Sequence, residues 1–244
     1  MKTQDNAYIA SMCKATGDAD PLRAISKHVD RYRKPGMTLE SLATTLGVSA
    51  IVEEMLPFDG GVFPDGANLI IKINSDSIPT RRRFTLAHEL AHVIISVGSA
   101  GSARRCLKSN PLEDACDFLA AELLMPIDEA LVFLDKRASL GALLSFSERF
   151  NVSLHAAAVR ISELKVWKES IYFWKWSGSP KQLWYVGQRF WFDEEFIASV
   201  IKRAIQSRSV VETEVLCNNA RGQNRRDLKV QKLGSNYALG FLST

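Results

Sequence analysis

Apolar residues recur at intervals of three and four through most of the first two-thirds of the chain, and this spacing predicts amphipathic helices. Asp20 and Pro21 mark the start of one helix, because they suit its cap and its first turn. The stretch GGVFPDGANLIIKIN predicts instead a β-hairpin, with Asp65-Gly66 as its turn and Leu69 to Ile73 as its second strand. We therefore predict a mainly helical region with a small hairpin.

Four more helices are predicted after the hairpin. The first contains TRRRFTLAHELAHVIIS, and the second ends before Pro126. The other two, at about 139–149 and 154–165, are joined by a tight turn and have the order of a DNA-binding helix-turn-helix. Arg160 is the one strong base-reading side chain on an otherwise Ala-rich second helix, so we interpret the pair as a packing scaffold.

The last third of the chain has a different composition, and all five tryptophans lie between residues 167 and 191. Strand-like segments surround the helical stretch DEEFIASVIKRAIQSR, and the residues from 166 onward carry 12 Lys and Arg against 7 Asp and Glu. We place a domain boundary near residue 166, between residues 1–165 and a small C-terminal α/β module of residues 166–244. Aromatic strands commonly form sheet cores, so a ligand or partner site among the tryptophans is the second interpretation.

Charge and hydropathy narrow the class of protein. A formal charge of +4 is smaller than that expected of a dedicated nucleic-acid binder. The RRR run at 81–83 is interpreted as a solvated face or an anchor for nearby carboxylates rather than a nucleic-acid patch. No apolar run approaches the roughly 18 residues that cross a bilayer, and the N-terminal stretch has no apolar signal core. The four cysteines show no C-x-x-C spacing, which argues against a thiolate metal site. We expect a cytoplasmic protein with no membrane partner.

The strongest chemical signal is the pair His88 and His92, because the chain has only four histidines. Residues four apart on a helix project from one face, so both imidazoles can reach one ion, with Glu89 beside them. This is the H-E-x-x-H pattern, in which the histidines bind zinc and the glutamate acts as general base towards a metal-bound water. Zinc, Zn²⁺, is the expected cofactor because it accepts nitrogen and oxygen ligands and acidifies its water.

Two histidines leave such a metal one protein ligand short. A third histidine six residues after His92 is absent, because that position is Gly98. Glu113, at the start of the next helix, is the preferred third ligand, and Asp117 on the same face can accept a hydrogen bond from a ligand histidine. Glu122 is the competing carboxylate, and it ranks lower because it lies in the apolar run AAELLMP.

These segments resemble a known family, the ImmA/IrrE metallopeptidases. The matching stretches are IIKINSDSIPTRRRFTLAHELAHVI and EDACDFLAAELLMP, and a weaker similarity covers roughly residues 38–165. Cys116-Asp117 stands where the family pattern has Ala-Asn, and the order of Phe118-Leu119 also departs from it. Aspartate remains a competent hydrogen-bond acceptor, so neither departure removes the chemistry.

The resemblance implies that His88, His92 and Glu113 are the metal ligands and that Glu89 is the general base. It also implies a zincin-like α+β fold and a zinc-dependent endopeptidase that cleaves a helix-turn-helix (XRE-type) repressor in a stress-response or mobile-element circuit. Residues 1–165 would then be the peptidase domain, and residues 166–244 a regulatory or substrate-recruiting domain.

Two further expectations concern the substrate and the rival function. The strand from Leu69 to Ile73 is a candidate to hold an extended substrate by added strand pairing. The alternative function is a non-catalytic, metal-containing regulatory protein that binds and antagonises a repressor. Glu89 favours the enzyme, because a purely structural metal site does not need it.

Overall fold

The computed structural model of the chain describes residues 6–98, 110–135, 137–207, 209–219 and 222–243. They divide into two compact units. The first contains the residues up to Val132 and Phe150–Ser153, and the second contains Phe133–Arg149 and the residues from Leu154 onward. The domain boundary predicted near residue 166, between residues 1–165 and 166–244, stays a prediction.

The helices at the start of the first unit begin at capping residues. They are α1 (Ala7–Thr16), α2 (Pro21–Val29) and α3 (Leu39–Thr45). Side-chain oxygens of Asn6, Asp20 and Thr38 accept hydrogen bonds from the first-turn N–H groups of these helices. Such bonds satisfy N–H groups that have no partner within the helix. The prediction at Asp20 is confirmed, whereas α1 was not predicted.

A three-stranded sheet follows, formed by β1 (Val48–Glu54), β2 (Gly60–Asp65) and β3 (Asn68–Asn74). The predicted hairpin is present, because β2 and β3 pair antiparallel around the turn. The strand order is β1-β3-β2, and β1 pairs parallel to β3. The expectation that Leu69 to Ile73 holds a substrate is therefore wrong, since both edges of β3 are already paired. The strand β2, which lies at an edge of the sheet, is instead the candidate for pairing with a substrate.

The next helices are α4 (Pro79–Gly98), α5 (Asn110–Leu124) and α6 (Ile127–Phe133), and α4 and α5 pack together. Both are buried on more than one face. Fully buried side chains include Ala87, Leu90 and Ala91 on α4 and Ala115 and Leu119 on α5. Polar side chains within such a helix pair are costly unless they have partners, so the histidines and carboxylates there require an explanation.

The second unit contains three helices and a six-stranded sheet within its described residues. The helices are α7 (Leu140–Phe150), α8 (Leu154–Glu163) and α9 (Glu194–Gln206). The strands are β4 (Ser170–Trp176), β5 (Pro180–Val186), β6 (Trp191–Phe192), β7 (Val211–Asn219), β8 (Gly222–Leu233) and β9 (Tyr237–Leu242). Their order is β5-β4-β9-β8-β7-β6, and every neighbouring pair is antiparallel. The mixed helix and strand content agrees with the predicted α+β class.

Aromatic residues form much of the core between α9 and this sheet. Tyr172 and Trp174 are stacked with ring centroids 5.5 Å apart, and they pack in one cluster with Val200 and Ile201. The Tyr172 hydroxyl accepts a hydrogen bond from the backbone N–H of Phe190. At least part of the tryptophan-rich stretch therefore packs in the core of the sheet, as the sequence analysis predicts for aromatic strands.

No helix among the described residues combines the length and the apolar character needed to cross a membrane.

Candidate metal centre

His88 and His92 face one another on the buried helix α4. Their Nε2 atoms lie 3.2 Å apart, and their ring centroids are separated by 4.9 Å. His92 is 6% exposed, and the His88 side chain is 16% exposed. One helical turn thus directs two imidazole nitrogens to the same point, as the four-residue spacing requires.

Glu113 reaches the same point from α5. Its Oε2 atom lies 3.1 Å from His88 Nε2, and its Oε1 atom lies 3.7 Å from His92 Nε2. Among the residues described, these three form the group of His, Cys, Asp and Glu side chains whose ligand atoms all lie within 4.8 Å of one another. The structure therefore brings together the three residues that were predicted as ligands.

The spacing of the donor atoms fits a small divalent cation. Donors bound tetrahedrally at 2.0 to 2.2 Å from zinc are about 3.4 Å apart, close to the 3.1, 3.2 and 3.7 Å seen here. Glu113 Oε1 is also buried without a hydrogen-bond partner. A buried carboxylate oxygen in that state is costly, and a cation between the three residues would satisfy it. Three ligands leave a fourth position for water or substrate.

The opposite nitrogen of each histidine contacts a residue of α5. His88 Nδ1 lies 2.9 Å from Asp117 Oδ1, and His92 Nδ1 lies 3.3 Å from Cys116 Sγ. Asp117 thus stands where the sequence analysis expected a hydrogen-bond acceptor. The Cys116 contact was missed, although its departure from the family's Ala was the one signal available.

The electrostatics around His88 favour positive charge. Burial lowers the pKa of His88. The hydrogen bond to Asp117 and the charges of Asp117, Glu89 and Glu113 together raise it by more, so the pKa of His88 lies above its ordinary value. Burial disfavours an isolated charge, whereas nearby carboxylates stabilise it. The surroundings that hold a proton on His88 suit a bound cation equally well.

The two other glutamates considered from the sequence have different surroundings. Glu89 is 8% exposed, and its charge contributes to the raised pKa of His88. Glu122 is 2% exposed, and its Oε1 accepts a hydrogen bond from the backbone N–H of Ile127 in the first turn of α6. Glu122 therefore stabilises a helix start. This agrees with its lower rank as a ligand.

Strand β2 begins close to the same face of α4. A Cβ atom added at Gly60 would lie only 2.5 Å from Thr85 Cγ2, and Thr85 precedes His88 by about one turn. Asp59, next to Gly60, forms an ion pair with Arg81 on α4. The hydrogen bond to Asp59 raises the pKa of Arg81, and the charge of Asp117 raises it by a smaller amount. The sheet edge and the histidines therefore belong to one region of the first unit.

The arginine run at 81–83 makes separate contacts within the first unit. Besides the Asp59 pair, Arg82 Nη1 donates to Ser75 O at 3.0 Å, and Arg83 Nη1 donates to Phe150 O at 2.8 Å. The ion pairs of Arg81 with Asp59 and of Arg82 with Glu53 support the interpretation of the run as an anchor for nearby carboxylates.

The two other histidines of the chain and Arg160 do not belong to the group of candidate ligands. His28 is buried in α2, and burial lowers its pKa. His155 in α8 contacts the ring of Trp184, with centroids 5.1 Å apart. Arg160 is 1% exposed and lies 3.5 Å from Glu163. A buried arginine cannot reach base edges, so the helix-turn-helix order of α7 and α8 lacks its one base-reading side chain. Cys106 lies outside the described residues.

Comparison with known proteins places the site within a family. Residues 43–162 match the family described as the IrrE N-terminal-like domain, a peptidase family. The radiation response metalloprotease IrrE of Deinococcus radiodurans is 30% identical over 141 residues, which are 53% of this chain and 41% of that relative. The chain thus spans less than half the length of this relative.

A solved structure shares the fold. It is a Mycobacterium tuberculosis transcriptional regulator, with a TM-score of 0.51 and 15% identity, and the match covers 96% of this chain and 80% of that one. At 15% sequence identity, this similarity shows a shared fold and nothing about function. The family match, by contrast, contains α4, α5 and all the residues of the candidate metal centre. Residues 43–162 therefore belong to the IrrE N-terminal-like domain family, which confirms the resemblance to the ImmA/IrrE metallopeptidases.

Proposed function

We propose that the protein is a zinc-dependent endopeptidase built on a zincin-like core. The convergence of His88, His92 and Glu113, with Glu89 beside them on α4, is the observation that carries the proposal. The family match supports it, since residues 43–162 contain these positions, and so does the similarity to a metalloprotease. Zinc is the metal of choice because two imidazoles and one carboxylate with a fourth open position are typical of zinc hydrolases.

The residues of the site divide the chemistry among them. A zinc ion held by His88, His92 and Glu113 would supply the Lewis acid that activates water and polarises the scissile carbonyl. Glu89 accepts the proton of the attacking water and passes it to the leaving amine. Asp117 accepts a hydrogen bond from His88 Nδ1–H, which keeps Nε2 free to bind the metal. The packing of α4 against α5 brings the ligands of the two helices together.

We place the substrate peptide along β2. This strand is an edge of the three-stranded sheet, and its first residues lie beside α4 at Thr85. An extended peptide can add to such an edge through backbone hydrogen bonds. Gly60, which has no side chain, allows the close approach of strand and helix that brings the peptide towards the histidines.

The proposed substrate is a helix-turn-helix repressor of the XRE type, and the proposed location is the cytoplasm, where such a repressor acts. The family resemblance supports this choice, and the related IrrE protein is named for a radiation response. Residues 166–244 would then recruit the repressor or control access to the site. Their basic balance and separate sheet are the features that support a role outside the chemistry.

Incubation of the zinc-loaded protein with helix-turn-helix regulators encoded near its gene tests the proposal. We expect one regulator to be cut at a single site by substoichiometric amounts of the protein. A regulator that is bound in a fixed ratio and stays intact would instead establish the non-catalytic alternative. The protein treated with a chelator is the control. If cleavage stops with the chelator and returns when zinc is added back, a contaminating protease that needs no metal is excluded.

A further inference from the structure

Consecutive residues of α5 contact the rear nitrogens of both candidate metal-binding histidines. Asp117 contacts His88, and Cys116 Sγ lies 3.3 Å from His92 Nδ1. We propose that Cys116 is a positioning residue, which fixes the His92 ring so that Nε2 faces the metal. The inference rests on the metal site of the proposed function, but not on what that site cleaves.

The geometry excludes Cys116 as a ligand. Its sulfur contacts Nδ1, whereas the ligand atom of His92 is Nε2, which lies 3.2 Å from Nε2 of His88. The two nitrogens of an imidazole direct their lone pairs or protons away from one another. The group of donor atoms within 4.8 Å of each other accordingly contains His88, His92 and Glu113, and does not include Cys116.

The proton on His92 explains how the thiol can act. A neutral imidazole carries one proton, so an Nε2 atom that binds metal requires the proton on Nδ1. Nδ1–H can then donate to Cys116 Sγ, a weak acceptor. Cys116 is 0% exposed and His92 6%, so water competes little for this contact. The thiol thereby favours the tautomer that the metal needs.

The two rear contacts should differ in strength. Loss of a partner behind a metal-binding histidine typically lowers metal affinity by about 10- to 100-fold. A carboxylate is a stronger acceptor than a thiol. We therefore expect Cys116→Ala to weaken zinc binding by about 10-fold and Asp117→Ala to weaken it by closer to 100-fold. Alanine is also the residue that the family pattern has at position 116, so the variant should fold.

Competition with a chromophoric chelator measures zinc affinity in the full chain. Cys116→Ser keeps an acceptor on the same Cβ atom, and we expect it to recover part of the affinity lost in Cys116→Ala. Cys217→Ala is the matched control, because Cys217 is 1% exposed and lies in the second unit. It removes an equally buried thiol and should leave zinc affinity unchanged. Far-UV circular dichroism checks that each variant is folded.

Any of the following results would overturn the proposal: zinc affinity in Cys116→Ala within twofold of wild type, a serine variant no better than alanine, or wild-type protein that binds no zinc. Cobalt substitution adds a test of the ligand set. A sulfur-to-cobalt charge-transfer band that disappears in Cys116→Ala would make Cys116 a ligand instead of a positioning residue. Weakened zinc binding in a protein that cleaves nothing would leave the inference standing and refute the peptidase function alone.

Discussion

Glu89 is the residue on which the two candidate activities differ, since a protein that only holds a metal has no use for its carboxylate. Glu89→Gln preserves shape and leaves the three ligands in place. Positioned acid–base catalysis contributes about 10² to 10⁴ in rate, so we expect cleavage to fall by that factor while zinc stays bound. Cleavage of the proposed substrate is measured by gel electrophoresis, and zinc content by metal analysis. A fully active Glu89→Gln protein would assign the base to another residue.

The choice of third ligand is tested by two matched substitutions on α5. Glu113→Gln removes the charge of an oxygen that lies 3.1 Å from His88 Nε2, so zinc affinity should fall at least 10-fold. Glu122→Gln keeps an acceptor for the N–H of Ile127 and should bind zinc like wild type. The chelator competition assay compares both. The reverse ranking of the two affinities would make Glu122 the ligand.

The residues of the metal centre show what a sequence can and cannot reveal. His88 and His92 follow from helical periodicity, and Glu113 follows from its position at the start of the next helix. Cys116 could not be assigned a role, because its contact with His92 depends on the rotation of α5 against α4. That rotation is set by the packing of side chains from both helices and has no local pattern.

At the scale of elements, local signals predicted well and long-range pairing did not. The β2–β3 hairpin follows from its Asp-Gly turn, whereas the parallel pairing of β1 with β3 joins segments separated by a whole strand. That pairing places β3 in the centre of the sheet and leaves β2 at an edge, where we propose that the substrate pairs. Helix α1 was missed because only Ile9 and Met12 among its apolar residues are buried, which leaves a weak periodic pattern.

The contact between β2 and α4 predicts the effect of one methyl group. In Gly60→Ala the new Cβ would lie 2.5 Å from Thr85 Cγ2 and 2.8 Å from the backbone oxygen of Lys72. The strand must shift, and we expect a loss of about 1–3 kcal/mol in the free energy of unfolding. Gly141→Ala in α7 is the control, because nothing lies within 4 Å of its added Cβ. Urea unfolding followed by circular dichroism measures the free energy of unfolding. A Gly60→Ala protein as stable as wild type would contradict this contact.

In the second unit, Tyr172 predicts a dependence of stability on alkaline pH. Burial raises the pKa of Tyr172 to about 12, so the folded state keeps a proton that the unfolded state loses near pH 10. The contribution of this hydroxyl to stability is therefore present below about pH 10 and decreases as the pH rises towards 12.

Tyr172→Phe leaves the N–H of Phe190 and the carbonyl of Gln188 without this partner, so we expect a loss of roughly 1–3 kcal/mol at neutral pH. The difference between wild type and variant should shrink at about pH 11. Urea unfolding monitored by tryptophan emission measures both values. A difference that stays the same at both pH values would contradict the raised pKa.

At the scale of the whole molecule, the metal centre and the tryptophans lie in different units. All five tryptophans lie after Leu154 in the second unit, and all the candidate ligands lie in the first. A ligand that binds only the folded state stabilises it. We therefore expect a chelator to lower the unfolding temperature seen by helical circular dichroism more than that seen by tryptophan emission. The His92→Ala protein, treated in the same way, is the control and should not respond to chelator. Equal shifts in both signals would mean that the chain unfolds as one cooperative domain.

The division of the ligands between α4 and α5 also sets the order of events during synthesis. His92 and Glu113 are 21 positions apart in the chain. At about 5–20 residues per second, the ribosome adds the glutamate roughly 1–4 s after the second histidine. In that interval α4 has its two imidazoles but lacks Glu113, the third candidate ligand. Complete metal binding thus begins with the docking of α5 on α4, so a nascent chain carries the H-E-x-x-H sequence before it can carry the site.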